Sequence, residues 1–508
     1  MTATSFLRQP RMFNSAMASM TRFQQFSVCA KRFPNEPERP MMKTAFPGPE
    51  GIKHVANYGV TSCKEQIMFP VDLQASEGNY VADVDGNKML DMLTSIACIG
   101  SGYNHPGLLE ATKTDYMRHV LATRTGMGIN PPMEYEGLLE KAFMDVAPAG
   151  MTRVCGAMCG TCSVEAAFKH AVIAYAQAKR GGMDVPPTAE ELETTMLNQA
   201  PGSPAYSILS FKSGFHGRLL GALSATRTNP IHKLDIPSFD WPAAEPPRYR
   251  HPLAENVEYN RAQDQASLAD VRAKIEEWKQ KGSEVVSVIV EPIMSEGGDN
   301  ALSAEFAQGL QDITKELGIY FIVDEVQTGV CLTGSMWAHE QWNLRESPDF
   351  VTFAKKMLSC GFYHNENTRM TTPYRHMNTF MGDPIRIALT AAQNDIIKED
   401  KLAELAVETG AYLQDKLAAL AVKHPQFIKA VRGKGTFLAF DCDTVELRNE
   451  VLAKLKAQGV HQGGCGVKTI RLRPTLYFEK KHADIYTEAL DNAIEEVKKT
   501  SPYIFYGN

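Results

Sequence analysis

The sequence predicts an α/β protein with a largely parallel sheet, followed by a separate α+β domain. Between about residues 150 and 400, short apolar runs alternate with helical patterns, as in successive β-α units. Four of the runs are followed at once by polar residues, namely 207–211, 285–290, 320–323 and 350–354. Past Lys401 the pattern changes to a long helix, two alternating strands and a final helix over 481–499 with one apolar face.

Composition places the chain among globular enzymes that act on small molecules. Its 508 residues are 44% hydrophobic, enough for a large core and two or three domains. A net charge of −6 without a basic stripe argues against a nucleic-acid partner. The chain contains no apolar run as long as the roughly 18 residues that a membrane helix needs. Ten irregularly spaced cysteines indicate mostly reduced thiols rather than a disulfide framework.

The first 33 residues have the composition of a mitochondrial transit peptide. They contain five basic residues, several Ser and Thr, and no acidic residue. The first acidic residue of the chain is Glu36. Import machinery reads such acid-poor, arginine-rich segments. We therefore expect residues 1–33 to be a transit peptide and the mature protein to reside in the mitochondrial matrix. The alternative is a basic tail on a cytosolic enzyme.

Three charged residues at the ends of apolar runs are spaced so that they can converge. Glu291, Asp324 and Lys355 are 33 and 31 residues apart, about one β-α-β repeat. Ligands of open α/β sheets bind outside the carboxyl ends of the strands. A lysine that is partly desolvated there loses its proton more easily and becomes nucleophilic. The ordinary alternative for each residue is a solvated strand end.

A turn at Gly160 and Thr161 joins a strand to a helix and can bind an anion. Free N–H groups at the start of the helix, the helix dipole and the threonine hydroxyl together suit a phosphate. The same segment contains a C-x-x-C motif, Cys159 and Cys162. Taken alone, this motif indicates a redox pair, half a zinc site, part of an iron-sulfur site or simply two buried thiols.

Taken together, seven motifs resemble the class-III (ω-amino-acid) pyridoxal phosphate aminotransferases. They are CGTC at 159–162, SGFHGR at 213–218, DIPSFDWP at 235–242, VEPIMSEGGDN at 290–300, VDEVQTG at 323–329, FAKK at 353–356 and RLRPTL at 471–476. The resemblance extends over nearly all of the chain after residue 33. It implies the type-I fold of pyridoxal-phosphate-dependent transferases, with a mostly parallel seven-stranded sheet in a large domain at 85–400. A small domain is expected from both chain ends, 34–84 and 401–508.

The resemblance also implies how pyridoxal 5'-phosphate is bound. Lys355 matches the lysine that holds the cofactor as a Schiff base and then acts as general base and acid. Asp324 matches the carboxylate that pairs with the pyridine nitrogen and makes the ring an electron sink. Gly160 and Thr161 match the phosphate-binding turn.

Four further positions match residues around the cofactor ring and phosphate. Phe215 matches the aromatic residue stacked on one face of the ring. Val326 matches a residue packed on the ring, and Gln327 one that bonds its phenolic oxygen. Thr379 matches a phosphate ligand donated by the neighbouring subunit, so the resemblance implies a homodimer.

Substrate binding is expected to depend on two arginines. Arg218 matches the residue that binds the distal carboxylate of 4-aminobutyrate, and guanidinium suits bidentate carboxylate recognition. Arg471 matches the residue that binds the α-carboxylate of glutamate, with Glu291 as its partner when 4-aminobutyrate is present. Ile96 and Cys98 match the lining of the substrate pocket.

The implied reaction moves the amino group of 4-aminobutyrate to 2-oxoglutarate and gives succinate semialdehyde and glutamate. The alternatives are another ω-amino acid such as β-alanine or ornithine, a decarboxylase or aminomutase that uses the same cofactor, and a non-catalytic iron-sulfur protein. Animal members of the family carry the CGTC motif and share a 2Fe-2S cluster between two subunits. The resemblance therefore implies that Cys159 and Cys162 bind such a cluster.

Overall fold

A computed structural model describes residues 32–502, so the expected transit peptide lies almost entirely outside the described residues. The strands are β1 Val71–Glu77, β2 Tyr80–Asp83, β3 Lys88–Asp91, β4 Arg153–Ala157, β5 Tyr206–Phe211, β6 Ala243–Ala244, β7 Glu284–Val290, β8 Ile293–Met294, β9 Asn300–Ala301, β10 Tyr320–Asp324, β11 Phe350–Phe353, β12 Cys360–His364, β13 Lys429–Lys434, β14 Phe437–Asp441, β15 Val460–His461, β16 Gly463–Cys465 and β17 Thr469–Leu472.

The helices cover both faces of the central sheet and the outside of the C-terminal sheet. They are α1 Pro49–Ala56, α2 Pro106–Ala111, α3 Asp115–Ala122, α4 Tyr135–Ala142, α5 Gly160–Arg180, α6 Ala189–Thr195, α7 Leu220–Ala225, α8 Val257–Gln280, α9 Ala304–Leu317, α10 Pro384–Glu399, α11 Leu402–Lys423, α12 Val445–Ala457 and α13 Lys480–Thr500. No helix within residues 32–502 is long and apolar enough to cross a bilayer.

The central sheet has seven strands in the order β4-β12-β11-β10-β7-β5-β6. The pairings of β10 with β11, β10 with β7, β5 with β7 and β5 with β6 are parallel, and only β12 runs against its neighbours. β7 is buried along almost its whole length, which explains its nearly continuous apolar sequence. The predicted mostly parallel seven-stranded sheet is confirmed.

Helix α5 covers one face of this sheet. Its buried residues Val164, Ala167, Phe168 and Ala171 recur at helical spacing and pack against β7, β11 and β12. The segment 181–204 after α5 contains α6, which has no buried residue. The helix therefore adds nothing to the core.

Both ends of the chain contribute to one C-terminal core. β3 pairs in parallel with β15, and the hairpin of β2 and β3 turns at Asp85 and Gly86. Tyr80 and Leu90 belong to the same buried cluster as residues of α11, α12 and α13. β3 at 88–91 lies in the same sheet as β1 and β2, so this sheet extends past residue 84, where the domain boundary is expected. The boundary itself remains a prediction.

Three histidines form a buried cluster between α5, β12 and the segment that follows β12. The ring centroids of His170 and His364 are 4.4 Å apart, and those of His170 and His376 are 5.0 Å apart. Burial is the main cause that lowers the pKa of His170 to about 4 and those of His364 and His376 to about 3. The nearby charges of Arg153 and Lys169 act in the same direction. All three imidazoles are therefore neutral at physiological pH.

This cluster should make the fold sensitive to mild acid. Each folded-state pKa is below the unfolded value of 6.5, so the unfolded chain binds protons first, and stability is lost as pH falls below 6.5. The loss is up to about 1.4 kcal/mol per pH unit for each imidazole. We expect the urea midpoint to fall between pH 7 and pH 5, and the His364→Phe substitution to reduce that fall. Substitution of the exposed His54 by Asn is the control; an unchanged slope in the His364→Phe variant would contradict the prediction.

Candidate active site

Asp324 lies at the carboxyl end of β10, and its carboxylate accepts three hydrogen bonds from the surrounding protein. Oδ1 accepts hydrogen bonds from Thr352 Oγ1 at 3.0 Å and from the backbone N–H of Val326 at 3.0 Å. Oδ2 accepts from His216 Nδ1 at 2.8 Å. A carboxylate has about four acceptor positions, so these three bonds leave one free on Oδ2. The side chain is 3% exposed, which means that the free position faces a site largely shielded from water.

Lys355 follows β11 and adopts a left-handed backbone conformation with a φ of 55°. Its Nζ donates to the carbonyl oxygen of Ile96 at 3.1 Å. Burial lowers the pKa of Lys355, whereas the nearby Cys98 and Glu296 raise it. The amine is therefore easier to deprotonate than a surface lysine, as the sequence predicted.

The Ile96 carbonyl belongs to a strained turn. Thr94, Ser95, Ile96 and Ala97 all have positive φ values, between 46° and 61°. A left-handed turn costs roughly 1–2 kcal/mol for each non-glycine residue. Such strain persists where the surrounding structure imposes it, commonly at functional sites. Thr94 is held by its Oγ1, which donates to the carbonyl of Arg473 at 2.8 Å.

The start of α5 lies beside the residues that follow β10 and β11. A methyl group at Gly160 would lie only 2.7 Å from Val326 Cγ1 and 3.4 Å from Ala354 Cβ, so glycine permits this close approach. Thr161 Oγ1 accepts from the backbone N–H groups of Arg218 and Leu219 at 3.2 Å each. The predicted phosphate-binding turn is thus joined to the loop after β5.

Glu291 is buried and anchors the backbone of the loop that contains Phe215. Its Oε1 accepts from the N–H of Phe215 at 2.9 Å, and its Oε2 accepts from the N–H of Ser295 at 3.1 Å. Burial, together with the charge of Asp324, raises the pKa of Glu291 well above its usual range. Glu291 therefore fixes the position of Phe215 at the site.

The expected pairing of Glu291 with Arg471 is corrected by the structure. Arg471 Nη1 donates to Glu296 Oε1 at 2.6 Å, and both side chains are largely buried. Glu291, directly after β7, turns toward Phe215 and Asp324, whereas Glu296 lies on the turn after β8 and reaches β17. The carboxylate that accompanies Arg471 is Glu296.

Arg218 lies at the open side of the site and is exposed. Its Nη2 is 3.0 Å from Nε2 of His232, and its guanidinium carbon is 5.9 Å from the centroid of the Phe215 ring. Within residues 32–502, Arg218 forms no ion pair with a carboxylate. Its charge is available to an anionic ligand.

Gln327 and Lys356 connect the site to the C-terminal domain. Lys356 Nζ donates to the backbone carbonyl of Gln327 at 2.5 Å, and burial lowers the pKa of Lys356 to about 7. The side-chain Oε1 of Gln327 accepts from Arg473 Nε at 3.0 Å.

Three predicted residues, Thr379, Cys159 and Cys162, form no hydrogen bond with Lys355 or Asp324 among the described residues. Thr379 is exposed and lies beside Gly126 rather than near Lys355. The sulfur atoms of Cys159 and Cys162 are 3.2 Å apart at the start of α5, with Cys159 exposed. Cys98 lies close enough to Lys355 to influence its pKa.

Sequence reasoning missed several residues that complete the site. Glu296 lies in the same VEPIMSEGGDN motif as Glu291, and nothing in the spacing told which glutamate would reach Arg471. Thr352 is a polar residue inside an apolar strand, a signal that could have marked it. His232 and Arg473 carry no such signal, because only the fold brings them to the site.

The comparisons with known proteins agree with this geometry. The aminotransferase class-III family model matches residues 61–494. The chain is 45% identical to a 4-aminobutyrate aminotransferase of Dictyostelium discoideum, over 92% of this chain and 93% of that one. It is 42% identical to the mitochondrial 4-aminobutyrate aminotransferase of Homo sapiens, over 90% and 91%. A solved lysine aminotransferase from M. tuberculosis is similar at a TM-score of 0.77 and 25% identity, over 88% of this chain and 99% of that one.

The matched region contains both the central sheet and most of the C-terminal domain, and therefore every residue of the site described above. The chain belongs to the class-III aminotransferases.

Proposed function

We propose that the protein transfers the amino group of 4-aminobutyrate to 2-oxoglutarate in a ping-pong reaction that yields succinate semialdehyde and glutamate. The observation that carries the proposal is the contrast between the two arginines. Among the described residues, Arg218 is exposed and has no carboxylate partner, whereas Arg471 is neutralised by Glu296. Relatives 42% to 46% identical over at least nine tenths of this chain bear the name 4-aminobutyrate aminotransferase.

Pyridoxal 5'-phosphate is the cofactor expected for the family, and the residues present fit it. When bound, it supplies an electron sink for the carbon that loses its proton. The free acceptor position of Asp324 suits a protonated pyridine nitrogen, and the start of α5 at Gly160 and Thr161 suits the phosphate. Phe215 and Val326 would lie against the two faces of the ring.

Lys355 would hold the cofactor and move the proton. Because burial favours its neutral form, Nζ can accept a proton from the substrate carbon and return it at the cofactor carbon. The Ile96 carbonyl, which accepts from Nζ at 3.1 Å, sets the side-chain position from which this transfer starts.

Two binding modes let one site accept a mono-acid and a di-acid. Arg218 would bind the carboxylate distal to the reacting carbon in both substrates. With 4-aminobutyrate, Glu296 keeps Arg471 neutralised, because the substrate has no second carboxylate there. With glutamate or 2-oxoglutarate, the α-carboxylate would displace Glu296 from Arg471, which is 6% exposed at its side chain.

The first half-reaction tests the substrate directly. Holoenzyme mixed with 4-aminobutyrate, without any keto acid, should release one equivalent of succinate semialdehyde per active site, measured by a coupled dehydrogenase assay. Lys355→Ala should abolish this release, because the variant lacks the amine that is proposed to move the proton. Release of product from ornithine but not from 4-aminobutyrate would contradict the substrate and leave the family standing.

Removing the charge of Glu296 should shift the balance between the two substrates. In Glu296→Gln the charge of Arg471 is no longer neutralised, so kcat/KM for glutamate relative to 4-aminobutyrate should rise about tenfold, a difference of ~1.4 kcal/mol. Glu291→Gln is the matched control, since Glu291 does not contact Arg471. An equal shift in both variants would contradict the assigned partner.

We also propose a homodimer that carries one 2Fe-2S cluster. Thr379 is exposed in one chain, as expected of a residue that serves a neighbouring subunit, and the two thiols of Cys159 and Cys162 supply half of a four-thiolate set. Anaerobically purified protein should sediment as a dimer and contain about two iron atoms per dimer. Cys162→Ser should remove the iron; an iron-free wild-type dimer would exclude the cluster but not the dimer.

Residues 1–33 are proposed to direct import into the mitochondrial matrix. The support is their basic, acid-free composition and the mitochondrial names of the animal relatives. A reporter fused to residues 1–33 should enter mitochondria, and cytosolic retention would contradict this. The division into a large domain at 85–400 and a small domain from 34–84 and 401–508 likewise remains a proposal, supported by the shared core of Tyr80 with α11 to α13.

A further inference from the structure

We infer that Arg473 is a positioning residue that fixes the side-chain amide of Gln327 with its NH2 group facing the cofactor. The inference rests on the proposed function, with pyridoxal phosphate as cofactor, and on the expected hydrogen bond of Gln327 to the phenolic oxygen of that cofactor. Arg473 itself touches neither substrate nor cofactor in this account. It acts through Gln327.

The hydrogen-bond donors and acceptors at the contact between Arg473 and Gln327 determine the orientation of the amide. Arg473 Nε is 3.0 Å from Gln327 Oε1, and a guanidinium can only donate hydrogen bonds. The atom of Gln327 that meets it must therefore be the carbonyl oxygen. The amide nitrogen, with its two donors, must point away from Arg473.

Arg473 is itself held rigidly. It is fully buried, and its Nη2 donates to Asp299 Oδ1 in a buried ion pair. Nη1 donates to the carbonyl of Leu472 at 2.9 Å, and the guanidinium carbon lies 3.3 Å from the centroid of the Phe437 ring. With each of its three nitrogens engaged, the guanidinium cannot turn to release Gln327.

The backbone of Gln327 is fixed from the opposite side. Lys356 Nζ donates to its carbonyl oxygen, and the carbonyl of Lys356 accepts from Gln393 Nε2 at 2.6 Å. Lys356 directly follows Lys355 in the chain. The backbone carbonyl of Gln327 is thus held by Lys356 and its side-chain oxygen by Arg473, the residue after β17. Among the described residues, the amide NH2 is left to a ligand.

Loss of Arg473 would free the amide to rotate by half a turn. The carbonyl oxygen would then face the phenolic oxygen, acceptor against acceptor, in half of the population or more. Because a hydrogen bond to the charged phenolic oxygen would be lost in that part of the population, cofactor affinity should weaken about tenfold. The other residues that hold the cofactor would keep their positions.

The test is a double-mutant cycle on the dissociation constant of pyridoxal phosphate in the full-length protein, measured by fluorescence titration of the apoenzyme. Arg473→Met and Gln327→Met should each weaken binding about tenfold, and the double variant should be no weaker than either single variant. Arg473→Lys, which keeps a charge for Asp299 but lacks Nε, should weaken binding equally. Arg473→Lys takes the place of Arg473→Met in the cycle if the methionine variant does not fold.

The outcomes distinguish a failure of the role inferred for Arg473 from a failure of the expected contact between Gln327 and the cofactor. A full additional tenfold loss from Arg473→Met in the Gln327→Met background would overturn the inference, because Arg473 would then act independently of Gln327. Full affinity in Gln327→Met would instead overturn the proposed contact of Gln327 with the cofactor, and the inference with it. Thermal midpoints of the apo variants separate affinity from stability: a purely structural role would lower the midpoint of Arg473→Met and leave the dissociation constant unchanged.

Discussion

The parallel pairing of β7, β10 and β11 is the constraint on which the site depends. Val290 lies opposite Val323, and Val323 lies opposite Val351, so the three strands end side by side. Parallel strands all present their carboxyl ends at one edge, and residues 30 or so apart in sequence become neighbours there. Asp324 lies next to Thr352 on the adjacent strand for this reason, and Glu291 lies close enough to Asp324 for its charge to act.

Burial of ionisable groups gives this edge its chemistry. Desolvation favours the neutral forms of Lys355, Lys356 and Glu291, whereas the carboxylate of Asp324 accepts three hydrogen bonds. An isolated buried charge is costly, so each charge that remains is paired or hydrogen-bonded. A lysine that loses its proton readily and a buried, hydrogen-bonded carboxylate therefore both lie at this edge of the sheet.

The C-terminal domain contributes two arginines to the site. Arg471 lies in β17, and Arg473 directly follows this strand. Arg471 pairs with Glu296, and Arg473 pairs with Asp299, both on the segment after β8. These ion pairs cross between the central sheet and the C-terminal sheet. The ion pair of Arg471 with Glu296 is the more open of the two, with side chains 6% and 25% exposed, which suits an exchange of partners. Arg473 is completely enclosed, which suits a fixed support.

The sequence by itself determined the central fold and the chemistry at the strand ends. Apolar runs, helical periodicity and the residues directly after each run depend only on local order along the chain, so β5, β7, β10, β11 and the positions of Asp324 and Lys355 could be predicted. The tertiary structure alone decided which side chains meet. Two glutamates five residues apart compete for Arg471, and only the turn after β8 places Glu296 rather than Glu291 against it. His232 reaches Arg218, and Arg473 reaches Gln327, through contacts that depend on how loops and domains pack, and no periodicity in the sequence encodes such packing.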